Sequence, residues 1–228
     1  MKEFPGKDQT TQFPWDRIKP HKLLKAILMP IVWALLRLLF SVQVTGRENL
    51  PKKSAGVIIT CNHLHSIDPA FLAAFSRLSW RFMAKAELFH NSAAAFLLRH
   101  ANAFPVERDI VDRKALDFAL AVMDACGQND RYPGLGIFPE GTRSPDGIPK
   151  EGKTGAAVIA RKTKADILPC SIYHESKLKF RRKITVRFGE IIPFADLGLG
   201  ETPNKRQNRE ATDQIMAAIT RLWEMKHD

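Results

Sequence analysis

Cysteine is scarce in this chain, with three residues in 228. Cys61, Cys126 and Cys170 are odd in number and widely spaced, and no C-x-x-C pair is present. This usage argues against a disulfide framework and against a cysteine-rich metal site. It predicts a protein of a reducing compartment.

Signals for export, repetition and nucleic-acid binding are also missing. Residues 1–22 are polar and include acids and prolines before any apolar run, unlike a secretory signal. No internal repeat or low-complexity tract occurs, and neither zinc-finger spacing nor a basic motif interleaved with aromatic residues is present. The formal charge is +11, with 35 Lys and Arg against 24 Asp and Glu. We therefore expect an anionic membrane or an acidic protein as partner, and no nucleic acid.

One long apolar run follows the polar N-terminus. It extends from Ala26 to Val42 and is interrupted only by Pro30, Arg37 and Ser41. As a helix it would be about 25 Å long, which is marginal against a hydrocarbon core of about 30 Å. Basic residues and tryptophans suited to a lipid interface lie ahead of it or within it: Trp15, Arg17, Lys19, Lys22, Lys25 and Trp33.

We expect this run to form a helix that lies in one leaflet of a membrane. The alternative is an unusually apolar helix packed on the protein itself. The composition changes near Gly46, where the sequence reads GREN. This break divides the chain into an N-terminal membrane-associating segment, residues 1–45, and a globular domain, residues 46–228.

Strand and helix patterns alternate after this break. Buried strands are predicted at 56–60, 80–84 and 135–139 and in the runs NAFPVER, ADILPCSIY and KITVRFGEII. Helices are predicted after Asp68-Pro69, from Asp112 to Cys126 and from Gln207 to Trp223. Pro169 within an apolar run predicts an edge strand or a bulge. The expected fold is α/β, with a mixed, largely parallel sheet covered by helices and with the chemistry at strand ends.

The stretch CNHLHSIDPAF, residues 61–71, carries two histidines and an aspartate directly after a predicted strand. An imidazole suits proton transfer near neutral pH, so His63 is a candidate base. Asp68 would fold back beneath the ring and fix its tautomer, leaving the other ring nitrogen for a substrate hydroxyl. The alternative is that Asp68 caps the helix beginning at Pro69 and that His63 bonds within the turn.

A metal site is a third interpretation of the same stretch, because the two histidines of an H-x-H pair, His63 and His65, can project to one side of an extended segment. Two-metal hydrolases of the H-x-H-x-D-H type place the aspartate one residue earlier and a histidine directly after it. This chain has Ile67 and Asp68 at those places. A metal is therefore disfavoured, and we predict none.

A second polar loop, GIFPEGTRSPDG, follows another predicted strand. Arg143 offers a planar fork of donors, Gly141 lets a ligand approach the backbone, and Thr142 and Ser144 add hydroxyl donors, all of which suit a phosphate. Glu140 is expected to hold a hydroxyl or to position a basic side chain. The alternative is a plain loop with a surface ion pair.

In this order the motifs resemble those of the glycerolipid acyltransferase family. Its H-x-x-x-x-D block appears as NHLHSID, its second block as KAEL followed by AFPVER, its third as FPEGTRS and its fourth as ILPCSI around Pro169. A lone H-x-x-x-x-D has little specificity, but together with FPEGTRS it becomes highly specific. The resemblance covers residues 46–192. Asn102 stands where a glycine is frequent, and EGKTGAA keeps Lys153 but lacks the preceding aromatic residue.

The resemblance implies a glycerol-3-phosphate acyltransferase-like fold and an acyl transfer. A fatty acyl group would pass from acyl-CoA or acyl carrier protein to the sn-2 hydroxyl of lysophosphatidic acid, giving phosphatidic acid. His63 would be the base and Asp68 its partner. Six residues would bind the acceptor: Lys85, Arg108, Glu140, Gly141, Thr142 and Arg143.

The same resemblance implies no cofactor beyond the acyl donor, which is a substrate. The expected partners are membrane lipids, the lysophospholipid acceptor and acyl carrier protein. The expected location is the cytoplasmic face of a membrane, as a peripheral or monotopic protein. The basic run 177–187 would meet anionic lipid, the phosphates of coenzyme A or an acidic carrier protein, and its alternative is a solvated strand face.

Overall fold

A computed structural model gives the fold of the chain. The described residues are 22–51, 56–76, 78, 80–91, 95, 98, 103–106, 113–127, 134–144, 146–175 and 179–228.

A seven-stranded sheet forms the centre of the protein. Its strands are β1 Ser41–Thr45, β2 Val57–Cys61, β3 Arg81–Lys85, β4 Ala103–Val106, β5 Gly134–Ile137, β6 Ile167–Tyr173 and β7 Lys183–Phe188. Their order across the sheet is β1-β7-β6-β2-β5-β3-β4. Neighbours pair in parallel except β6 and β7, which are antiparallel. The predicted mixed, largely parallel sheet is confirmed.

Helices cover both faces of this sheet. They are α1 Lys22–Leu39, α2 Asp68–Ser76, α3 Arg113–Gly127, α4 Gly155–Thr163 and α5 Lys205–Glu224. On β2, Val57 and Ile59 point into a core shared with α1 and α2, whereas Ile58 points into a core shared with α3, α4 and α5. A strand buried on both faces is continuously apolar, which explains the run VIITC.

The N-terminal apolar run is helical over less of its length than predicted. Helix α1 ends at Leu39, and Ser41 and Val42 belong to strand β1, where valines alternate with polar residues in SVQVT. Leu36 and Phe40 are buried against the α2 side of the sheet. Among the described helices, none has the length and apolarity needed to span a bilayer. Membrane association and the division after residue 45 stay predictions, although β1 lies before that division and pairs with β7.

At Pro169 the prediction of an edge strand is wrong, whereas the pairing beside it is irregular in the manner of a bulge. Strand β6 lies inside the sheet, between β7 and β2. The Pro169 carbonyl accepts a 2.8 Å bond from the Gly189 N–H. Ile167 pairs with Ile192 and Cys170 pairs with Phe188, so two residues of β6 lie opposite three of the facing segment. The proline nitrogen faces this irregular part of the antiparallel pairing, so no bond to β2 is lost.

Gly46 makes a close backbone contact that no side chain would permit. Its φ is +73°, and a Cβ would lie 1.8 Å from the Phe188 carbonyl oxygen. Gly147 has a similar φ of +77° but nothing within 4 Å of a Cβ. We expect Gly147→Ala to cost about 1–2 kcal/mol for its backbone conformation alone. Gly46→Ala should cost at least about 2 kcal/mol more, because the overpacked loop must move. Urea unfolding of both variants measures the difference, and equal losses would contradict this account.

Candidate active site

Four parallel strands deliver the predicted polar residues to one edge of the sheet. β2, β5, β3 and β4 are neighbours that run in the same direction, so their carboxyl ends meet. His63 follows the end of β2, the loop at 138–144 follows β5, and Lys85 is the last residue of β3. Arg108 lies outside the described residues. The expectation that the chemistry gathers at strand ends agrees with this placement.

The imidazole of His63 is paired with the carboxylate of Asp68. His63 Nδ1 lies 2.9 Å from Asp68 Oδ2, with the His63 side chain 12% exposed and the Asp68 side chain 1% exposed. A carboxylate oxygen accepts, so Nδ1 carries the proton of this bond. The neutral ring then has its lone pair on Nε2 and can take a proton there.

The same carboxylate oxygen holds the turn that carries the histidine. Asp68 Oδ2 accepts the N–H of Leu64 and the N–H of His65, each at 2.7 Å. These bonds run back into the turn, and α2 already begins at Asp68 itself. The orienting interpretation of Asp68 therefore describes this geometry, and the helix-capping interpretation does not.

Glu140 links the two loops of the site. Its Oε1 accepts the His63 N–H at 2.9 Å, and its Oε2 accepts a short bond from the Ser144 hydroxyl. A third contact joins the loops, because the Ser144 N–H donates to the His63 carbonyl at 2.8 Å. Glu140 is 3% exposed and Ser144 is 1% exposed.

These contacts change two predictions. Ser144 is not a free hydroxyl donor for a phosphate, since its proton goes to Glu140. Glu140, which the resemblance places among the acceptor-binding residues, is engaged on both carboxylate oxygens by protein groups. It holds a hydroxyl, as the sequence suggests, and its second partner is the backbone of the turn that carries His63.

Two residues that sequence reasoning did not single out help to position the histidine, one through its ring and one through the adjacent backbone. Phe138 stacks on the His63 ring, with centroids 4.2 Å apart and an angle of 26° between the planes. Asn62, which is fully buried, donates from Nδ2 to the Ile172 carbonyl and accepts the Ile172 N–H, both at 2.9 Å. The available signals were a polar residue directly after an apolar strand and the phenylalanine within FPEGTRS.

Lys153 lies against the turn at Gly141. The Lys153 N–H donates to the Pro139 carbonyl at 2.8 Å, and Gly141 has a φ of +68°. A Cβ on Gly141 would lie 3.0 Å from Lys153 Cδ and Cε and 3.2 Å from Nζ. The glycine thus leaves room for the lysine side chain, which brings an ammonium group to the loop of Thr142 and Arg143. Both of these residues are exposed.

The buried cysteines near the site do not supply a nucleophile. Cys61 and Cys170 lie opposite each other on β2 and β6 and are free thiols. Burial raises the pKa of both thiols, and for Cys61 the negative charges of Asp68 and Glu140 raise it further. A thiol with a raised pKa is present as thiolate only in a very small fraction, and so these two thiols are inert.

His65 does not share the environment of His63. It is exposed, and its Nδ1 lies 3.4 Å from the Ile67 N–H, at the limit of a hydrogen bond. Within the described part of the chain, no group of three or more His, Cys, Asp or Glu side chains could hold a metal ion.

The fold and this site define the class of protein: an α/β protein with a histidine–aspartate pair at the ends of parallel strands. A family model described as acyltransferase matches residues 41–173. The chain is 30% identical over 192 residues to the 1-acyl-sn-glycerol-3-phosphate acyltransferase of Bacillus subtilis, covering 82% of this chain and 91% of that protein.

Two further comparisons agree with this match. A protein of the same name from Borreliella burgdorferi is 34% identical over 182 residues, covering 77% of this chain and 70% of that protein. The crystal structure of the 1-acyl-sn-glycerophosphate (LPA) acyltransferase PlsC from Thermotoga maritima has the same fold, with a TM-score of 0.66 and 22% identity. It covers 95% of this chain and 88% of that one. The chain therefore belongs to the acyltransferase family, as an O-acyltransferase, and the resemblance that its motifs predict is confirmed.

Proposed function

We propose that the protein transfers a fatty acyl group from an acyl thioester to the sn-2 hydroxyl of lysophosphatidic acid. The product is phosphatidic acid, in phospholipid biosynthesis. The shared name of the Bacillus and Borreliella relatives supports this acceptor. The observation that carries the chemistry is the 2.9 Å contact between His63 Nδ1 and Asp68 Oδ2, because it leaves Nε2 as the proton acceptor.

The reaction follows from this pair. His63 Nε2 removes the proton of the acceptor hydroxyl as the hydroxyl oxygen attacks the thioester carbonyl carbon. The negative charge of Asp68 stabilises the imidazolium that forms. The tetrahedral intermediate then breaks its C–S bond, the ester is left on the acceptor, and the imidazolium returns the proton to the departing sulfur. A thiolate leaves readily, so positioning and base catalysis suffice, and we propose that neither a cofactor nor an acyl-enzyme takes part.

The acceptor phosphate is assigned to the cations around the loop after β5. Arg143 is exposed there, and Lys153 brings an ammonium group to the same loop at Gly141. We further assign Lys85 and Arg108 to this group, and Thr142 and Gly141 to the pocket wall. Glu140 acts indirectly, by holding the catalytic turn and the phosphate loop together.

The donor is acyl-CoA or acyl carrier protein, and the site of action is the cytoplasmic face of a membrane. One assay tests acceptor and donor together: purified full-length protein with a panel of lyso-lipids and with both acyl donors. We expect turnover of lysophosphatidic acid above all other acceptors. Preference for another lyso-lipid would change the acceptor but keep the chemistry. Hydrolysis of the thioester without transfer to any acceptor would overturn the proposal.

Arg143→Ala should weaken acceptor binding. The loss of a charge-assisted contact to phosphate should raise KM for lysophosphatidic acid about 10- to 100-fold, with a smaller change in kcat. Arg143→Lys should restore part of the affinity, and Lys153→Ala should give a smaller rise in KM. Steady-state kinetics measure these effects, with Arg206→Ala as control, because Arg206 is an exposed arginine paired with Glu210. Unchanged KM in Arg143→Ala would remove Arg143 from the phosphate site.

A further inference from the structure

The turn at residues 179–183, which leads into β7, lies at the same edge of the sheet as the catalytic histidine. Strand β6 runs parallel to β2, so its last residue, Tyr173, lies at the edge where β2 ends. Strand β7 is antiparallel to β6 and therefore begins there, at Lys183. Strand β1 is parallel to β7, so the junction between α1 and β1 lies at this edge as well.

This turn is fastened to the end of α1. Within the turn, the Arg182 N–H donates to the Lys179 carbonyl at 3.1 Å. The Arg181 N–H donates to the Leu39 carbonyl at 2.6 Å, and the Ser41 N–H donates to the Arg182 carbonyl at 3.0 Å. The turn and the C-terminal end of α1 therefore move as one unit.

The turn presents one aromatic side chain among cations. Phe180 is 72% exposed, whereas a phenylalanine is usually buried. Lys179 and Arg181 flank it, and both are exposed. In the described part of the chain, neither these two residues nor Arg182 pairs with a carboxylate within 4 Å. An exposed apolar ring surrounded by unpaired cations complements a surface that has negative phosphates above hydrocarbon.

Helix α1 extends the apolar surface from this turn. Ile31, Leu35 and Leu38 are 56%, 49% and 63% exposed, and their spacing places them on one face of the helix. Leu38 lies one residue before Leu39, to which the turn is bonded. The exposed apolar line of α1 therefore ends at the corner that carries Phe180. An acidic protein partner would match the cations but not this apolar line.

We propose that the 179–183 turn is a lipid-binding element. Phe180 enters the interfacial layer of an anionic membrane, the surrounding cations contact lipid phosphates, and the exposed face of α1 lies along the same surface. Two contacts at one corner fix the orientation of the protein, so the catalytic edge of the sheet faces the membrane. Membrane binding by this turn does not depend on catalysis. The benefit of facing the site toward the membrane rests on the proposed lipid acceptor.

Vesicle binding by the full chain tests the element. Phe180→Ser should weaken binding to vesicles of phosphatidylcholine and phosphatidylglycerol about tenfold. The double change Lys179→Gln with Arg182→Gln should weaken it by a further similar factor, and only for vesicles that contain the anionic lipid. Matched controls are Met225→Ser and the double change Lys162→Gln with Lys205→Gln. Met225 is an exposed apolar residue beside a groove with Thr45 and Gly189, at the opposite edge of the sheet.

The outcomes separate the possible partners of the turn. Equal vesicle binding by Phe180→Ser and by Met225→Ser would overturn the proposal. If the Lys179 and Arg182 variant loses only its rate with acyl carrier protein as donor and binds vesicles normally, the partner of the turn is an acidic protein. Thermal unfolding checks that all variants fold.

A second assay keeps this proposal distinct from the proposed function. Wild type and Phe180→Ser should turn over a short-chain, monomeric lysophosphatidic acid at equal rates, since no membrane is involved. Lack of turnover in both would count against the proposed function and leave the vesicle result unaffected.

Discussion

Replacing His63 with alanine should lower kcat for acyl transfer about a hundred- to ten-thousand-fold, because we propose the imidazole as the base that accepts the hydroxyl proton. The fold should persist, since among the described residues the ring makes its polar contact only with Asp68 and otherwise stacks on Phe138. Single-turnover assays at saturating acceptor measure the loss, and circular dichroism measures the fold.

His65→Ala is the matched control for this experiment. It removes an imidazole two residues away that is exposed and has only a marginal contact with the Ile67 N–H. We expect less than about a threefold change in kcat, as for a surface substitution away from the chemistry. Comparable losses in the two variants would place the base elsewhere, and substantial activity in His63→Ala would refute the mechanism.

Asp68→Asn separates charge from orientation in the same pair. A single oxygen, Oδ2, accepts all three bonds, from His63, Leu64 and His65. An amide oxygen can take that place, so the substitution removes the negative charge while keeping the turn. We expect kcat to fall while the free energy of unfolding stays nearly unchanged, whereas Asp68→Ala should lower both.

Glu140→Ala should produce a large loss of stability. It leaves the His63 N–H and the Ser144 hydroxyl without their acceptor in a buried region, and each unsatisfied donor costs about 1–3 kcal/mol. We expect the free energy of unfolding to fall by about 2–5 kcal/mol. Glu140→Gln keeps one acceptor oxygen and should lose less. Urea unfolding measures both variants.

Activity should fall together with stability in Glu140→Ala, because the carboxylate fixes the backbone of the residue that carries the base. Glu151→Ala is the matched control: Glu151 is 80% exposed on its side chain and forms a surface ion pair with Arg209. Such a pair contributes at most about 1 kcal/mol. Wild-type stability in Glu140→Ala would show that the two loops hold their positions without this link.

Local patterns were enough to predict the sheet and the contact between His63 and Asp68. Apolar runs that end in polar residues identified β2 and β5, and parallel packing of such strands brings their ends together. The pairing of His63 with Asp68 could also be predicted, since the two residues are close in sequence. The family motif favours the orienting interpretation of Asp68 over the capping and metal-binding ones.

Contacts between residues far apart in the sequence could not be predicted from local patterns. Glu140 contacts the backbone of His63, which lies 77 residues away in the sequence. Nothing near FPEGTRS in the sequence distinguishes a carboxylate that binds a ligand from one that links two loops. The edge-strand prediction for Pro169 failed for a related reason, because the place of β6 between β7 and β2 depends on pairing between distant residues. Strand β1 was not predicted, because its first residues continue the apolar run of the helix that precedes it.

The bonds of Asn62 have a consequence for how precisely the base is placed. A side-chain amide offers one donor and one acceptor in the arrangement of a peptide group. Asn62 uses both toward Ile172, and so adds one rung to the β2–β6 ladder beyond the last backbone pair, Cys61 with Cys170. The residue that follows this added rung is His63. The position of His63, the proposed base, is thus fixed relative to the backbone hydrogen bonds of the sheet. A side chain of equal size with only acceptors or only apolar atoms at position 62 would lose these two bonds.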